Sequence, residues 1–201
     1  PSLTGRTAHL VRAESPGPSL SRLVPKLGET AKILYLIYGA MTLVLIVLLV
    51  LGGMTVYDAM IHAFGTAGTG GFSNRGLSVG AYQSPWIDAV ITIFMVLFGI
   101  NFAVHYRVLS GGWRDALRDE ELRAYIIMVL LAMGLVTVNI LPLYQGDVLS
   151  AWRYGSFQVS SIVSTTGFAT ADFNLWPEFS RLIFVVLMLV GSCAGCADCF
   201  L

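Results

Sequence analysis

Four long stretches of the chain are apolar and are separated by polar connections. The first covers residues 33–51 and contains no charged side chain, and the second and third cover 86–106 and 125–143. The fourth, at 182–195, is shorter. Because a helix that crosses a bilayer needs about 20 apolar residues, the pattern predicts an all-α membrane protein whose first three spans have full length. Buried helices of a soluble core are the alternative, but so short a chain leaves little else to bury them.

The connections between these runs differ in basic residues, and the difference predicts the orientation of the spans. Of the twelve Lys and Arg residues, five precede the first run and four lie between the second and the third. Cytoplasmic loops carry an excess of Lys and Arg, so residues 1–32 and 107–124 are predicted to be cytoplasmic. The connections 52–85 and 144–181 then face outward.

Each outward connection contains an apolar segment too short to cross a bilayer, at 55–66 and 149–163, followed by a Gly/Thr-rich stretch. That stretch reads TAGTGGF in the first connection and STTGF in the second. The pattern indicates a short helix that enters the membrane and an extended strand that returns. Non-helical backbone is tolerated at membrane depth only inside protein or along a water-filled path, where its carbonyl oxygens can replace the hydration shell of a cation. An ordinary external loop is the alternative.

The two Gly/Thr stretches belong to an internal repeat, because TGGF at 69–72 is matched by TTGF 96 residues further along. Repeated membrane units are typical of transport proteins. The chain is therefore predicted to contain two pore repeats joined by the loop 107–124, each with an outer helix, a pore helix, a filter loop and an inner helix. Their predicted bounds are 33–51, 55–66, 67–73 and 86–106 in the first repeat, and 125–143, 149–163, 164–170 and 180–195 in the second.

Composition narrows the functional class. Hydrophobic residues make up 56% of the chain and charged residues only 12%, against about 25% charged residues in a soluble domain. The formal net charge of zero gives no indication of nucleic-acid binding. The sequence contains no phosphate-binding loop, dinucleotide fingerprint or hydrolytic arrangement of Ser, His and Asp. We therefore expect an ion transporter rather than an enzyme, and an enzyme embedded in the membrane ranks behind it.

Six segments of the chain resemble the TrkH/TrkG-type potassium uptake proteins of the Trk/Ktr/HKT superfamily. They are VRAESPGP, TAKILYLIY, TAGTGGFS, GINFAVHY, LRDEELRAY and STTGFATADF. The resemblance implies a potassium-channel-like fold in which four pore repeats surround one pore, and this chain matches the second and third, as a fragment would. It also implies K⁺ as the transported ion, no cofactor, the bacterial cytoplasmic (inner) membrane as location, a homodimer in the lipid bilayer and a cytoplasmic nucleotide-binding regulatory subunit.

The resemblance also assigns site residues. Backbone carbonyls of the filter are expected to bind dehydrated K⁺, and the filter residues are Thr69, Gly70 and Gly71 in the first repeat and Thr165, Thr166 and Gly167 in the second. Phe72 and Phe168 are expected to pack behind the filter as structural supports. Asp58 and Asp172 are candidates either for attracting cations to the outer mouth or for ordinary capping.

The end of the chain, at 191–201, resembles the gate-like loop of this family. The gate candidates are Gly191, Ser192, Cys193, Ala194 and Gly195, after which CADCFL replaces the family's glycine-rich continuation. Cys193, Cys196 and Cys199 also form a C-x-x-C-x-x-C pattern that could hold a metal ion, although a fourth ligand is not apparent. Because two filter loops cannot surround an ion, a non-conducting, truncated membrane fragment with an assembly role is the alternative function.

Overall fold

The computed structural model describes residues 27–101, 104, 105, 108 and 118–194, with side chains between 32 and 191. Predictions for residues 1–26, for most of the loop 107–117 and for Gly195, Cys196 and Cys199 lie outside this part of the chain. The described residues contain no strand. The α-helices with described bounds are α1 Leu27–Leu51, α2 Val56–Ala67, α3 Pro85–Phe98, α4 Glu120–Ile140, α5 Val148–Val163 and α6 Glu178–Ala194, with short 3-10 helices at Ser78–Tyr82, Leu141–Tyr144 and Phe173–Leu175.

Two segments are long and apolar enough to cross a membrane, by length and composition: Lys32–Leu51 and Glu120–Tyr144. The helices α3 and α6 are shorter, at 14 and 17 residues. The start of α4 is fixed by Asp119, whose carboxylate accepts hydrogen bonds from the N–H groups of Glu121 and Leu122 at 3.1 and 3.4 Å. An acid at this position satisfies N–H groups that have no partner within the helix.

The helix of the second apolar run is shorter than the sequence predicts. We expect a helix over 86–106; α3 ends at Phe98, and residues 104 and 105 are again helical. A Cβ atom built on Gly99 would collide with the hydroxyl of Tyr125, so a larger residue there would require one of the two to shift. The same hydroxyl donates to the carbonyl of Val96 at 3.3 Å. A tertiary contact from α4 therefore occupies the end of α3, where carbonyl groups lack helical partners.

The helices pack as two units of three. A core cluster between α1, α2 and α3 includes Leu45, Leu49, Ala63, Ile91 and Met95, and a second between α4, α5 and α6 includes Val136, Val159, Trp176 and Phe184. The helix α3 packs against α5 and so joins the two units. Phe157 and Phe168, from the second unit, are buried in the core of the first. Large apolar side chains on the outer faces remain exposed, as a lipid environment requires, among them Leu36, Leu131 and Leu189.

Candidate functional site

The loops that follow the short helices α2 and α5 have the same unusual backbone. In each, a threonine and the glycine two residues later have positive φ: 48° at Thr69 and 61° at Gly71, and 57° at Thr165 and 85° at Gly167. A positive φ is an outlier for a β-branched residue such as threonine, and it costs about 1–3 kcal/mol. Such strain concentrates at functional sites, so the paired outliers mark these loops as the candidate site.

The hydrogen bonds of the two loops also correspond. In the first loop the N–H groups of residues 70 and 71 both donate to the carbonyl of Gly65, at 2.8 and 3.3 Å. In the second the N–H groups of residues 166 and 167 both donate to the carbonyl of Ser161, at 3.0 and 3.3 Å. Gly65 and Ser161 are themselves 96 positions apart, so the repeat in the sequence is also a repeat in the hydrogen bonding.

The carbonyl groups of both loops are left available by this bonding. The oxygens of residues 69–71 and 165–167 accept no hydrogen bond from another described residue. Both loops follow the C-terminal end of a short helix, where the helix dipole is negative. Main-chain oxygens in such a place can coordinate a dehydrated cation.

The two loops lie against each other. A Cβ atom built on Gly71 would collide with the carbonyl oxygen of Thr166, so only glycine permits this approach. A Cβ atom built on Gly167 has no heavy atom of the described residues within 4 Å. The structure therefore brings the two groups of predicted filter residues together on one side and leaves the opposite side of the second loop open.

The first loop is anchored by a buried acid. The carboxylate of Asp58, only 3% exposed, accepts hydrogen bonds from the Asn74 amide, from Arg75 at 3.0 Å and from the Tyr82 hydroxyl at 2.9 Å. Hydrogen bonds from Asn74, Arg75 and Tyr82 lower the pKa of Asp58 to about 2. Since the short helix α2 carries Asp58 and the returning chain supplies all three donors, this cluster closes the first hairpin.

His62 connects the two hairpins. Its Nδ1 lies 2.8 Å from the carbonyl oxygen of Asp58 and its Nε2 lies 3.0 Å from the hydroxyl of Ser73. Burial lowers the pKa of the His62 imidazole. The ring of Phe168 stacks on the imidazole with 5.5 Å between centroids, so a residue of the second loop packs into the first unit.

The second loop is held by hydroxyl and main-chain groups. The Ser161 hydroxyl donates to the carbonyl of Phe168 at 2.6 Å. The neighbouring Ala169 accepts a hydrogen bond from the N–H of Gly80 at 3.1 Å and donates its own N–H to the hydroxyl of Ser78 at 3.4 Å. Ser78 and Gly80 follow the first loop in the sequence, so the second loop depends on the first unit for its position.

The two phenylalanines that follow the loops have different environments. Phe168 is fully buried, whereas Phe72 is 75% exposed and its ring lies against Gly70 of its own loop. The reason is positional: Phe168 inserts into the unit that precedes it, and no such unit precedes Phe72 among the described residues. Asp172 is a capping acid, which accepts the N–H of Asn174 at 3.0 Å.

The predicted gate residues begin inside a helix, because α6 continues to Ala194. Gly191 is buried, and a Cβ atom there would lie 2.6 Å from the carbonyl oxygen of Val163. This glycine lets α6 approach the end of α5 just before the second loop. Ser192, Cys193 and Ala194 are helical in backbone, so the part of the gate-like segment that is described is not a loop.

An ion pair that the sequence patterns did not predict joins the two units. Arg153 of α5 donates from Nε to Oδ2 of Asp88 in α3 at 2.7 Å, and the two residues are 65 positions apart. Each is an isolated charge within an apolar segment, which is a signal that could have suggested the pairing.

Apolar helices of membrane-spanning length and two short helices that end in strained loops place the chain in the class of helical membrane proteins. Comparison with known proteins identifies the family. A family model described as "TrkH: Cation transport protein" matches residues 5–197, and the chain belongs to this family. The resemblance deduced from the sequence motifs is thereby confirmed, and this is a family of transporters rather than enzymes.

Individual relatives agree with this assignment. The chain is 36% identical over 192 residues to the Trk system potassium uptake protein TrkH of Salmonella typhimurium, covering 92% of this chain and 39% of that protein. It is 28% identical over 190 residues to TrkG of Escherichia coli K12, covering 94% of this chain and 39% of that protein. The chain thus spans about two fifths of the length of these curated relatives.

The fold agrees with a solved structure. The crystal structure of the potassium transporter TrkH from Vibrio parahaemolyticus superposes with a TM-score of 0.77 at 31% sequence identity. The match covers 86% of this chain and 38% of that one. The predicted all-helical membrane fold is therefore confirmed.

Proposed function

We propose that the chain supplies two pore-lining units of a potassium uptake transporter and that K⁺ binds the main-chain carbonyls of the loops at 69–71 and 165–167. The observation that carries this proposal is the matched bonding of the loops, in which N–H groups turn back to the helix ends and carbonyl oxygens stay free. The relatives named as potassium uptake proteins support K⁺ as the ion. No cofactor is needed for this role, because the coordinating groups belong to the backbone.

We propose that further units of the same kind complete the pore. Phe168 is buried in the unit that precedes its own, whereas the equivalent Phe72 is exposed. This difference supports a further unit, before the first, that would bury Phe72. The carbonyl of Thr166, from the next loop, lies against Gly71, whereas the corresponding space beside Gly167 is open. This open space supports a further unit after the second. Units on both sides of the pair agree with the four-repeat pore that the sequence resemblance implies.

The membrane arrangement is part of the same proposal. The distribution of basic residues supports an orientation with residues 1–32 and 107–124 on the cytoplasmic side. The membrane proposed is the bacterial cytoplasmic membrane. The family resemblance supports a homodimer, a nucleotide-binding regulatory subunit at the cytoplasmic face and a gate at residues 191–195. In that orientation the two short helices α2 and α5 enter from the outer side.

The test is growth of a bacterium that lacks its own potassium uptake systems, together with uptake of Rb⁺ as a tracer. The chain is expressed alone, and also grafted in place of the matching segment of a full-length TrkH relative. Gly71→Ala and Gly167→Ala are made in the graft. Gly134→Ala is the matched control, because a Cβ atom there meets nothing within 4 Å and its φ is not positive.

We expect the graft to restore growth at low external K⁺, both filter variants to abolish it and the control to retain it. Rescue by the chain alone would mean that two copies complete a pore. A graft that reaches the membrane without restoring Rb⁺ uptake, or filter variants that conduct like the control, would contradict the proposal and favour a purely structural fragment.

A further inference from the structure

A groove of about 730 Å³ lies away from the loops, between α3, α4 and α5. Its apolar wall is formed by Ile93, Val96, Leu97, Ile126, Leu130 and Met133. Ile93 and Leu130 are 57% and 55% exposed, so the groove opens on the outer surface of the bundle. In a membrane protein this surface meets lipid, and none of the predicted filter residues lines the groove.

One end of the groove is polar and carries the ion pair of Asp88 and Arg153. Asp88 is only 2% exposed, and its Oδ1 atom has no hydrogen-bond partner among the described residues. The Arg153 side chain is 22% exposed. It bonds Asp88 through Nε, while its terminal amino groups donate to no other described residue. At the polar end, Oδ1 of Asp88 can therefore accept a further hydrogen bond, and the terminal amino groups of Arg153 can donate further hydrogen bonds.

The groove has the dimensions and direction of one lipid leaflet. From Asp88 to Leu97 the helix α3 rises about 14 Å at 1.5 Å per residue, and half of a bilayer's hydrocarbon core is about 15 Å. In the predicted orientation the polar end lies toward the outer surface. Trp152, which is 43% exposed, lines the same end, and tryptophan is enriched where hydrocarbon meets the headgroups.

We propose that this groove is a binding site for a zwitterionic glycerophospholipid of the outer leaflet. Its phosphate accepts hydrogen bonds from the guanidinium of Arg153, its ammonium group donates to Asp88, and one acyl chain lies along α3 and α4. A neutral ion pair favours a neutral headgroup, because an anionic lipid would place an uncompensated negative charge beside Asp88. The assignment to the outer leaflet rests on the proposed membrane orientation, whereas the site itself does not depend on whether the loops conduct K⁺.

The test is native mass spectrometry of the 201-residue chain released from detergent micelles. The probes are phosphatidylethanolamine and phosphatidylglycerol with identical acyl chains. The double variant Asp88→Asn/Arg153→Gln removes both charges together, so that neither is left buried alone. Ala89→Phe places a ring in the groove and keeps both charges, because the exposed Ala89 lines the groove.

Two variants serve as matched controls. Arg181→Gln removes an arginine from the exposed pair with Glu178, at 3.7 Å. Ala40→Phe adds the same bulk as Ala89→Phe at an exposed position of α1. Both leave the groove unchanged.

We expect the wild type to retain one phosphatidylethanolamine in preference to phosphatidylglycerol, and both groove variants to weaken retention by about tenfold or more. The controls should bind as the wild type does. Equal retention of both lipids by every variant would show surface lipid only and overturn the proposal. A dimer without lipid that Ala89→Phe dissociates would assign the groove to a second copy, which would overturn it too.

Discussion

The two loops of the candidate site have the same backbone conformation, but different side chains hold each loop in place. The first is closed within its own hairpin by Asp58, which bonds to three side chains of the returning strand. The second lacks such an acid and is fixed by Ser161 and by contacts with Ser78 and Gly80 of the first unit. The loop conformation is therefore independent of any one set of side-chain anchors.

The difference also shows that the units depend on each other in one direction. Phe168 fills a place beside His62 in the unit before it, whereas Phe72 has no described unit in which to insert and is exposed. The second loop needs the first unit, while the first closes its hairpin with its own residues. Substitutions at equivalent positions should therefore have unequal effects.

The largest effect is expected for the phenylalanines. Phe168→Ala removes a fully buried ring and should lower the free energy of unfolding by about 3–5 kcal/mol. Phe72→Ala changes an exposed side chain and should alter it by less than about 0.5 kcal/mol. Denaturant titration in micelles, followed by circular dichroism, measures both. Equal losses would show that Phe72 is also packed in solution. In the graft described above, Phe72→Ala should become costly, since a preceding unit is then present.

A smaller contrast is expected between the loop glycines in the isolated chain. Both have positive φ, so alanine at either position costs about 1 kcal/mol or more in backbone strain. Gly71→Ala must also displace the carbonyl of Thr166, which adds about 1–3 kcal/mol of overpacking. In thermal unfolding, Gly71→Ala should lower the unfolding temperature more than Gly167→Ala, and Gly134→Ala should leave it unchanged. The reverse order would mean that the loops are not in contact.

The smallest effect is a difference in acid sensitivity. The pKa of Asp58 is about 2 in the folded chain, below its ordinary value of 3.8. Its stabilisation of the first loop is therefore complete above about pH 4 and is lost as the pH falls through about 2. The anchors of the second loop, Ser161, Ser78 and Gly80, do not titrate there. Hydrogen exchange at residues 70 and 71, relative to 166 and 167, should rise between pH 4 and pH 2.

The control for acid sensitivity is Asp58→Asn, in which the ratio of exchange between the loops should no longer change over this interval. Arg75 pairs with the same carboxylate, whereas the His62 imidazole contacts the main-chain carbonyl of Asp58. The same dependence on pH in the variant, or a ratio that never changes in the wild type, would contradict the assigned role of Asp58.

Local sequence patterns predicted the fold well, but they did not predict contacts between residues that are distant in the sequence. The charge-free run at 33–51 and the Gly/Thr repeats are local signals, and the family and all-helical fold that they implied are confirmed. The end of α3 is contacted by the hydroxyl of Tyr125, which lies 29 positions from its acceptor, and the ion pair joins residues 65 positions apart. The filter roles of residues 69–71 and 165–167 remain predictions. The positive φ of Thr69 could not be predicted from the sequence, because β-branched residues rarely adopt this conformation.

The hydrogen bonds from both loops back to Gly65 and Ser161 have a consequence for which ions could enter the proposed pore. With the N–H groups turned to the helix ends, these loop segments direct no backbone donor toward a halide or a phosphate. Selection for positive charge would then be a property of the main chain, common to two loops whose side chains differ. Replacing the side chains that surround the loops should change how firmly the loops are held and leave the sign of the admitted charge the same.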